Sequence, residues 1–220
     1  MKIFCVIPAW NEEKNIPEVL KKLTGFVDQV VVVDDCSSDQ TSEIAKKFGA
    51  IVLRHQINRG QGAALQTGNS YALKNGADII VHFDADNQFL ATEIPLVIAP
   101  LLNKQADIVF GSRFLGKKAN LPFFKKYLIM PLARIINHYI FKITLSDPQN
   151  GFRALSKESA TKITIENRGF AHNNEIQMKA FKLKLRIQEV PITVIYHRYG
   201  QKFSGGIRIL KDLLISKIIN

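Results

Sequence analysis

The chain predicts an α/β fold, a largely parallel sheet covered by helices on both faces. Three observations carry this. Strand-like and helix-like segments alternate from Lys2 to Phe110 in the order β-α-β-α-β-α-β-α-β. The second strand segment, Gln29–Val33, is a continuous apolar run of the kind that marks a parallel strand buried on both faces. Carboxylate-rich clusters at Asn11–Glu13, Asp34–Asp39 and Asp84–Gln88 each follow a strand segment. Ligands of such sheets bind beyond the strand carboxyl ends, so the chain is expected to gather these clusters there.

Taken in order, Lys2–Pro8 is a short apolar run ended by proline, and Asn15–Leu23 has helical spacing. The polar turn after Val33 leads into a helix over Ser42–Phe48, with Gly49 suited to close it. Ile51–Arg54 reads as a strand, Gly62–Asn75 as a helix closed by Gly76, and Asp78–Phe83 as a strand. Glu93–Leu102 reads as a helix and Asp107–Phe110 as a strand. Phe123–Ile143 reads as two amphipathic helices interrupted by Pro131. Its charges, Lys125, Lys126, Arg134 and Lys142, suit either a core-facing pair or an element lying on a membrane surface. Strands are expected at Gly151–Leu155 and Arg186–Ile195, with helices near Lys157–Ile163, over Asn174–Lys182 and over Ile207–Ile219.

Charge is divided unevenly. Residues 1–113 carry 11 Lys+Arg and 13 Asp+Glu, a net of −2; residues 114–220 carry 19 and 6, a net of +13. An anionic partner is therefore expected at the second half. Cys5 and Cys36 cannot form a disulfide framework, which suits a reduced, cytoplasmic setting. The first residues read as a strand and not a signal peptide, and no apolar stretch reaches 18 residues.

Asp84-Ala-Asp86-Asn87-Gln88 is the strongest chemical signal. On extended backbone, alternate residues share a side, so Asp84, Asp86 and Gln88 can converge. Their oxygens are hard ligands suited to Mg²⁺ or Mn²⁺. An EF-hand is excluded, because Phe89 and Pro95 stand where that loop needs Gly and Glu. In Asp34–Asp39, three carboxylates in six residues exceed what capping a helix explains, and a nucleoside's base and ribose would offer the donors they need. Asn58–Ala64 is a glycine-rich helix entry, suited either to phosphate or to close backbone packing; it lacks the third glycine of a dinucleotide fingerprint.

Together these motifs resemble the inverting family 2 glycosyltransferases, in particular the dolichyl-phosphate and polyprenyl-phosphate mannosyl- or glucosyltransferases. The matching elements are IPAWNEE (7–13), VVDDCSSDQT (32–41), NRGQGAALQTG (58–68), DADNQ (84–88), GSR (111–113), DPQNGFRAL (147–155) and EVPI (189–192). The resemblance implies a single GT-A domain over residues 1–220, a Rossmann-like, mostly parallel mixed sheet. Residues 1–113 would be its nucleotide-sugar half and 114–220 its basic, acceptor-binding and membrane-facing half. It implies that Pro8, Ala9, Glu12 and Asp35 hold the base and ribose of a GDP- or UDP-sugar. Asp84 would lie by the sugar or ribose, and Asp86 with Gln88 would coordinate Mg²⁺ or Mn²⁺ on the diphosphate. Arg113 and a cation near Lys126 would orient a polyprenyl-phosphate acceptor, while Arg198 and Lys202 would close over the donor. Cys36 stands where the family commonly has Gly, and Gln61 where it commonly has Lys.

A phosphate acceptor is already anionic and needs no strong base. A sugar-hydroxyl acceptor on a cell-surface glycan would need one, with Asp147 the candidate. The implied enzyme works at the inner face of the membrane, either peripherally or with a separate anchoring protein. A nucleotidyltransferase is disfavoured by the acidic turn AWNEEKN after the first strand. A noncatalytic nucleic-acid-binding module lacks the aromatic-and-basic motifs it would require, so no nucleic-acid partner is expected.

Overall fold

The computed structural model describes residues 1–115, 145–169 and 171–195. Within them lie seven strands: β1 (Ile3–Ala9), β2 (Gln29–Asp34), β3 (Ile51–Arg54), β4 (Ile79–His82), β5 (Ile108–Ser112), β6 (Arg153–Ser156) and β7 (Ile187–Pro191). The helices are α1 (Ile16–Leu23), α2 (Thr41–Lys47), α3 (Gln61–Lys74), α4 (Ile94–Leu102), α5 (Lys157–Lys162) and α6 (His172–Lys182). The amphipathic pair over Phe123–Ile143, the helix over Ile207–Ile219, and Arg198 and Lys202 lie outside the described residues.

The strands form one sheet in the order β3-β2-β1-β4-β6-β5-β7. Only β6 runs antiparallel, between β4 and β5. Six carboxyl ends therefore share one edge, and the segment entering β6, Asp147–Phe152, is delivered to that same edge. The mixed sheet agrees with the GT-A expectation.

Apolar side chains alternate between the faces because strand residues do. Cys5, Ile7, Val32 and Val81 pack under α1 and α4, while Phe4, Val6, Val31 and Ile80 pack under α3 and α6. Helix α1 buries Ile16, Val19, Leu20 and Leu23, the spacing of one helical face, and Pro17 opens its first turn. Helix α3 approaches β1 closely because Gly68 carries no Cβ; one there would overlap Val6. Ser156 caps α5 by accepting from Ser159 N–H at 3.2 Å. Strand β7 stops at Pro191, short of the Ile195 expected, because Thr193 N–H and Oγ1 turn to the buried Glu93 carboxylate at 2.8 and 2.9 Å.

Candidate functional site

Three loops at the carboxyl edge are locked in unusual backbone. Asn11 after β1, Cys36 after β2 and Asn87 after β4 have φ of 57°, 65° and 60°. Asparagine tolerates this left-handed region, whereas a residue such as cysteine gives up roughly 1–2 kcal/mol there. That explains why glycine is common at position 36 in the family. The first two loops are zipped together. Asn11 N–H donates to Ser37 Oγ at 2.9 Å, Asn11 Oδ1 accepts from Ser38 N–H at 2.8 Å, and Glu12 N–H donates to Thr41 Oγ1 at 2.8 Å.

The donors required by the Asp34–Asp39 carboxylates come largely from the protein, which corrects the argument that they call for a ligand. Asp34 is fully buried, accepting from Ser37 N–H at 2.8 Å and from the Ser42 hydroxyl. Asp39 accepts from Thr41 and from Glu13 N–H; against the opposing effect of burial, these bonds hold its carboxyl below the ordinary range. Asp35 accepts from His55 Nδ1, Arg59 N–H and Gly60 N–H at 2.7, 2.8 and 2.6 Å, yet it also lines the cleft described next.

That cleft, of about 620 Å³, is lined by Pro8, Ala9, Trp10, Glu12, Asp35 and Asp84, with Asp86, Asn58, Gln61 and Gly169 completing it. A smaller hollow of about 290 Å³ lies at the opposite edge, where β2 and β3 begin, remote from every acidic cluster. Inside the cleft like charges crowd. Burial, then the Asp86 charge, push the Asp84 carboxyl up to about 7, with Arg153 opposing them. Burial and the Asp86 and Asp39 charges likewise raise Glu12, although Asn15 Nδ2 donates to it at 2.8 Å. Among the described residues no three carboxylate, imidazole or thiolate side chains are gathered closely enough to hold a metal ion by themselves, so a divalent cation in this cleft would take most of its shell from phosphate oxygens and water. Gln88 stands apart from the lining; its N–H donates to Asp86 Oδ1 at 3.1 Å, and its carbonyl accepts from Ile195 N–H at 2.8 Å.

Close packing, and not a phosphate cradle, accounts for the glycine-rich entry to α3. A Cβ on Gly60 or Gly62 would overlap the Arg168 or Asn167 carbonyl, and Gly62 N–H donates to Arg168 O at 2.9 Å. Glu175 fixes that loop from below, accepting from Glu166 and Asn167 N–H at 3.0 and 2.8 Å. Gln61 Nε2 donates to Asp84 Oδ1 at 3.2 Å, and a Cβ on Gly151 would stand 2.6 Å from Asp84 Oδ2.

Arg113 and Asp147 meet beyond the end of β5. Arg113 Nε and Nη2 donate to the two Asp147 oxygens at 2.6 and 2.7 Å, and Asn150 Nδ2 donates to Oδ2 at 3.2 Å. Asp147 is buried. Glu189 pins the neighbouring Ser146, accepting from its N–H and hydroxyl at 2.9 and 2.7 Å. Only β6 separates β4 from β5, so the loops carrying Asp84 and Arg113 leave the same edge of the sheet two strands apart.

Some lining residues were not expected. Trp10 is the chain's single tryptophan and is 57% exposed at the cleft wall; its place in a polar strand-end turn was the available signal. The buried polar residues His172–Glu175 and Gln177 carry no motif, and the helix, expected over Asn174–Lys182, begins two residues earlier at His172. Within it and its surroundings, burial, then the Arg153 charge, lower His172 to about 4, and the same causes depress His82. Both rings are therefore neutral beside the buried Arg153.

A mostly parallel sheet with one reversed strand, and an acidic cleft at its carboxyl edge, is the arrangement of the GT-A fold. The chain belongs to glycosyltransferase family 2: the model of Glycosyl transferase family 2 matches residues 4–164. It is 35% identical to the UDP-N-acetylglucosamine–dolichyl-phosphate N-acetylglucosaminyltransferase of Methanococcus voltae, over 98% of this chain and 96% of that one. It is 31% identical to the undecaprenyl-phosphate mannosyltransferase of Micrococcus luteus, over 94% and 89%. Glucosyl-3-phosphoglycerate synthase of Mycobacterium tuberculosis, solved with Mn²⁺ and UDP-glucose, superposes with a TM-score of 0.72 at 23% identity, over 91% of this chain and 72% of that one.

Proposed function

We propose that the protein transfers a hexose, with inversion, from a UDP- or GDP-sugar to a polyprenyl phosphate. The observation that carries this reading is one cleft holding Glu12, Asp35, Asp84 and Asp86, beside a guanidinium held by Asp147. In this reading Pro8, Ala9, Trp10, Glu12 and Asp35 bind the base and ribose. Asp84 would border the ribose and sugar, and Asp86 would hold Mg²⁺ or Mn²⁺ on the diphosphate, with Gln88, outside the cleft lining, supporting the Asp86 carboxylate through its N–H. The bound cation would stabilise charge on the departing nucleoside diphosphate as a Lewis acid. Arg113 orients the acceptor phosphate, and Arg198 and Lys202 close over the donor.

Asp147 decides between acceptors. Both its oxygens already accept hydrogen bonds from Arg113, and one also accepts from Asn150. A general base needs a free oxygen aimed at the attacking hydroxyl. Asp147 therefore serves better as the support of an acceptor-phosphate arginine than as a base, which favours lipid phosphate over a glycan hydroxyl. The relatives named for dolichyl and undecaprenyl phosphate favour the same choice. Among the described residues no helix is long and apolar enough to cross a membrane. The +13 of residues 114–220 suits peripheral contact with anionic headgroups at the cytoplasmic face.

The test is transfer of radiolabelled sugar from UDP- and GDP-sugars, with Mn²⁺, to polyprenyl phosphate in detergent. Lipid-linked product is expected. Transfer to a glycan hydroxyl and to no lipid phosphate would overturn the acceptor.

A further inference from the structure

Helix α6 buries polar side chains alongside the apolar Ile176 and Ala180. His172, Asn173, Asn174 and Gln177 all lie out of solvent in its first two turns, where an apolar residue would pack at lower cost. Three of these side chains grip a single stretch of chain. Gln177 Nε2 donates to Pro148 O at 2.6 Å, Asn174 Oδ1 accepts from Gln149 Nε2 at 3.1 Å, and Asn173 Oδ1 accepts from Arg153 Nη2. Pro148 directly follows Asp147, whose carboxylate holds Arg113 through two parallel bonds. Such a bidentate pair has a fixed plane, so a displaced Asp147 turns the guanidinium with it.

We propose that Gln177 is a positioning residue for the acceptor end of the site. By fixing the Pro148 carbonyl it fixes Asp147, and through Asp147 it fixes Arg113. The inference rests on the reading of Arg113 as the acceptor-phosphate contact. Gln177 is absent from the lining of the cleft, so its influence runs to the acceptor and not the donor. Its Oε1 has no hydrogen-bond partner among the described residues, which leaves the bond to Pro148 as the reason for an amide at this depth.

The experiment compares Gln177→Met, which keeps length and volume without the donor, with Asp147→Asn and the double variant. Gln177→Met should raise KM for polyprenyl phosphate about tenfold, leaving kcat within about twofold. UDP or GDP binding with Mn²⁺, followed by Trp10 fluorescence, should be unchanged. The double variant should be no worse than Asp147→Asn, because the two residues act in one chain of contacts. Independently of activity, the Arg113 Nε–H followed by ¹⁵N NMR should lose protection from solvent exchange in Gln177→Met, and should lose it likewise in Asp147→Asn. Additive effects on KM, or an Arg113 Nε–H still protected in Gln177→Met, overturn the proposal. If Gln177→Met does not fold, Gln177→Leu, which also lacks any donor to Pro148 O, should give the same pattern. A wild-type protein inactive on every lipid phosphate would count against the acceptor reading alone, since the NMR comparison still judges the contact chain.

Discussion

On the β1–β2–β4 side of the carboxyl edge, Glu12, Asp84 and Asp86 share one cleft, where burial and the Asp86 charge raise the proton affinity of Glu12 and Asp84. On the β5–β6–β7 side, Asp147 and Glu189 are matched to protein donors at 2.6 to 3.2 Å. The first side crowds like charges, whereas on the second the protein itself supplies the matching donors. In the proposed reading the first side takes the nucleotide sugar together with a cation, and the second meets the acceptor phosphate with an arginine already held in place.

The sharpest way to break this contrast is Asp86→Ala. It should lower turnover by about 10²–10³-fold, the scale of losing one preorganised electrostatic contact, with the circular dichroism spectrum unchanged. Asp147→Asn should act on the other side alone, raising acceptor KM by about tenfold while nucleotide affinity stays at the wild-type value; a matching loss of donor affinity would merge the two sides.

Proton linkage gives a third handle. The Asp84 carboxyl stands near 7 in the metal-free fold, above its unfolded value. Its stabilising contribution is therefore full below about pH 4 and lost as pH rises through about 7. Mn²⁺ with nucleotide diphosphate, held by Asp86 in the proposed reading, would favour the ionised form of the neighbouring Asp84, so affinity should fall as pH drops below 7. The melting-temperature gain from adding both should be larger at pH 8 than at pH 6. The smallest expected effect is Cys36→Gly, which relieves the left-handed backbone and should stabilise by about 0.5–1 kcal/mol in urea unfolding.

Much of this was legible in the sequence. The apolar runs, and the helix stops at Gly49 and Gly76, set the order of elements through β5, and the strand-end rule gathers Glu12, Asp35, Asp84 and Asp86 at one edge. What periodicity could not reveal was direction and satisfaction. Nothing local in Arg153–Ser156 says that it runs antiparallel between β4 and β5, because register there comes from neighbours far along the chain. Nor does the cluster Asp34–Asp39 disclose that Ser42, His55 and Gly60, distant in sequence, occupy its oxygens. The polar face of α6 escaped notice because Asn and Gln in a helix usually mean solvent.

The most direct test of the account is titration of UDP and GDP into the protein with and without Mn²⁺, read by Trp10 fluorescence, in wild type and Asp86→Ala. The account predicts saturable quenching by one of the two nucleotides in wild type with Mn²⁺, and little binding without Mn²⁺ or in Asp86→Ala. Equal affinity with and without the cation, or undiminished binding in Asp86→Ala, would contradict it.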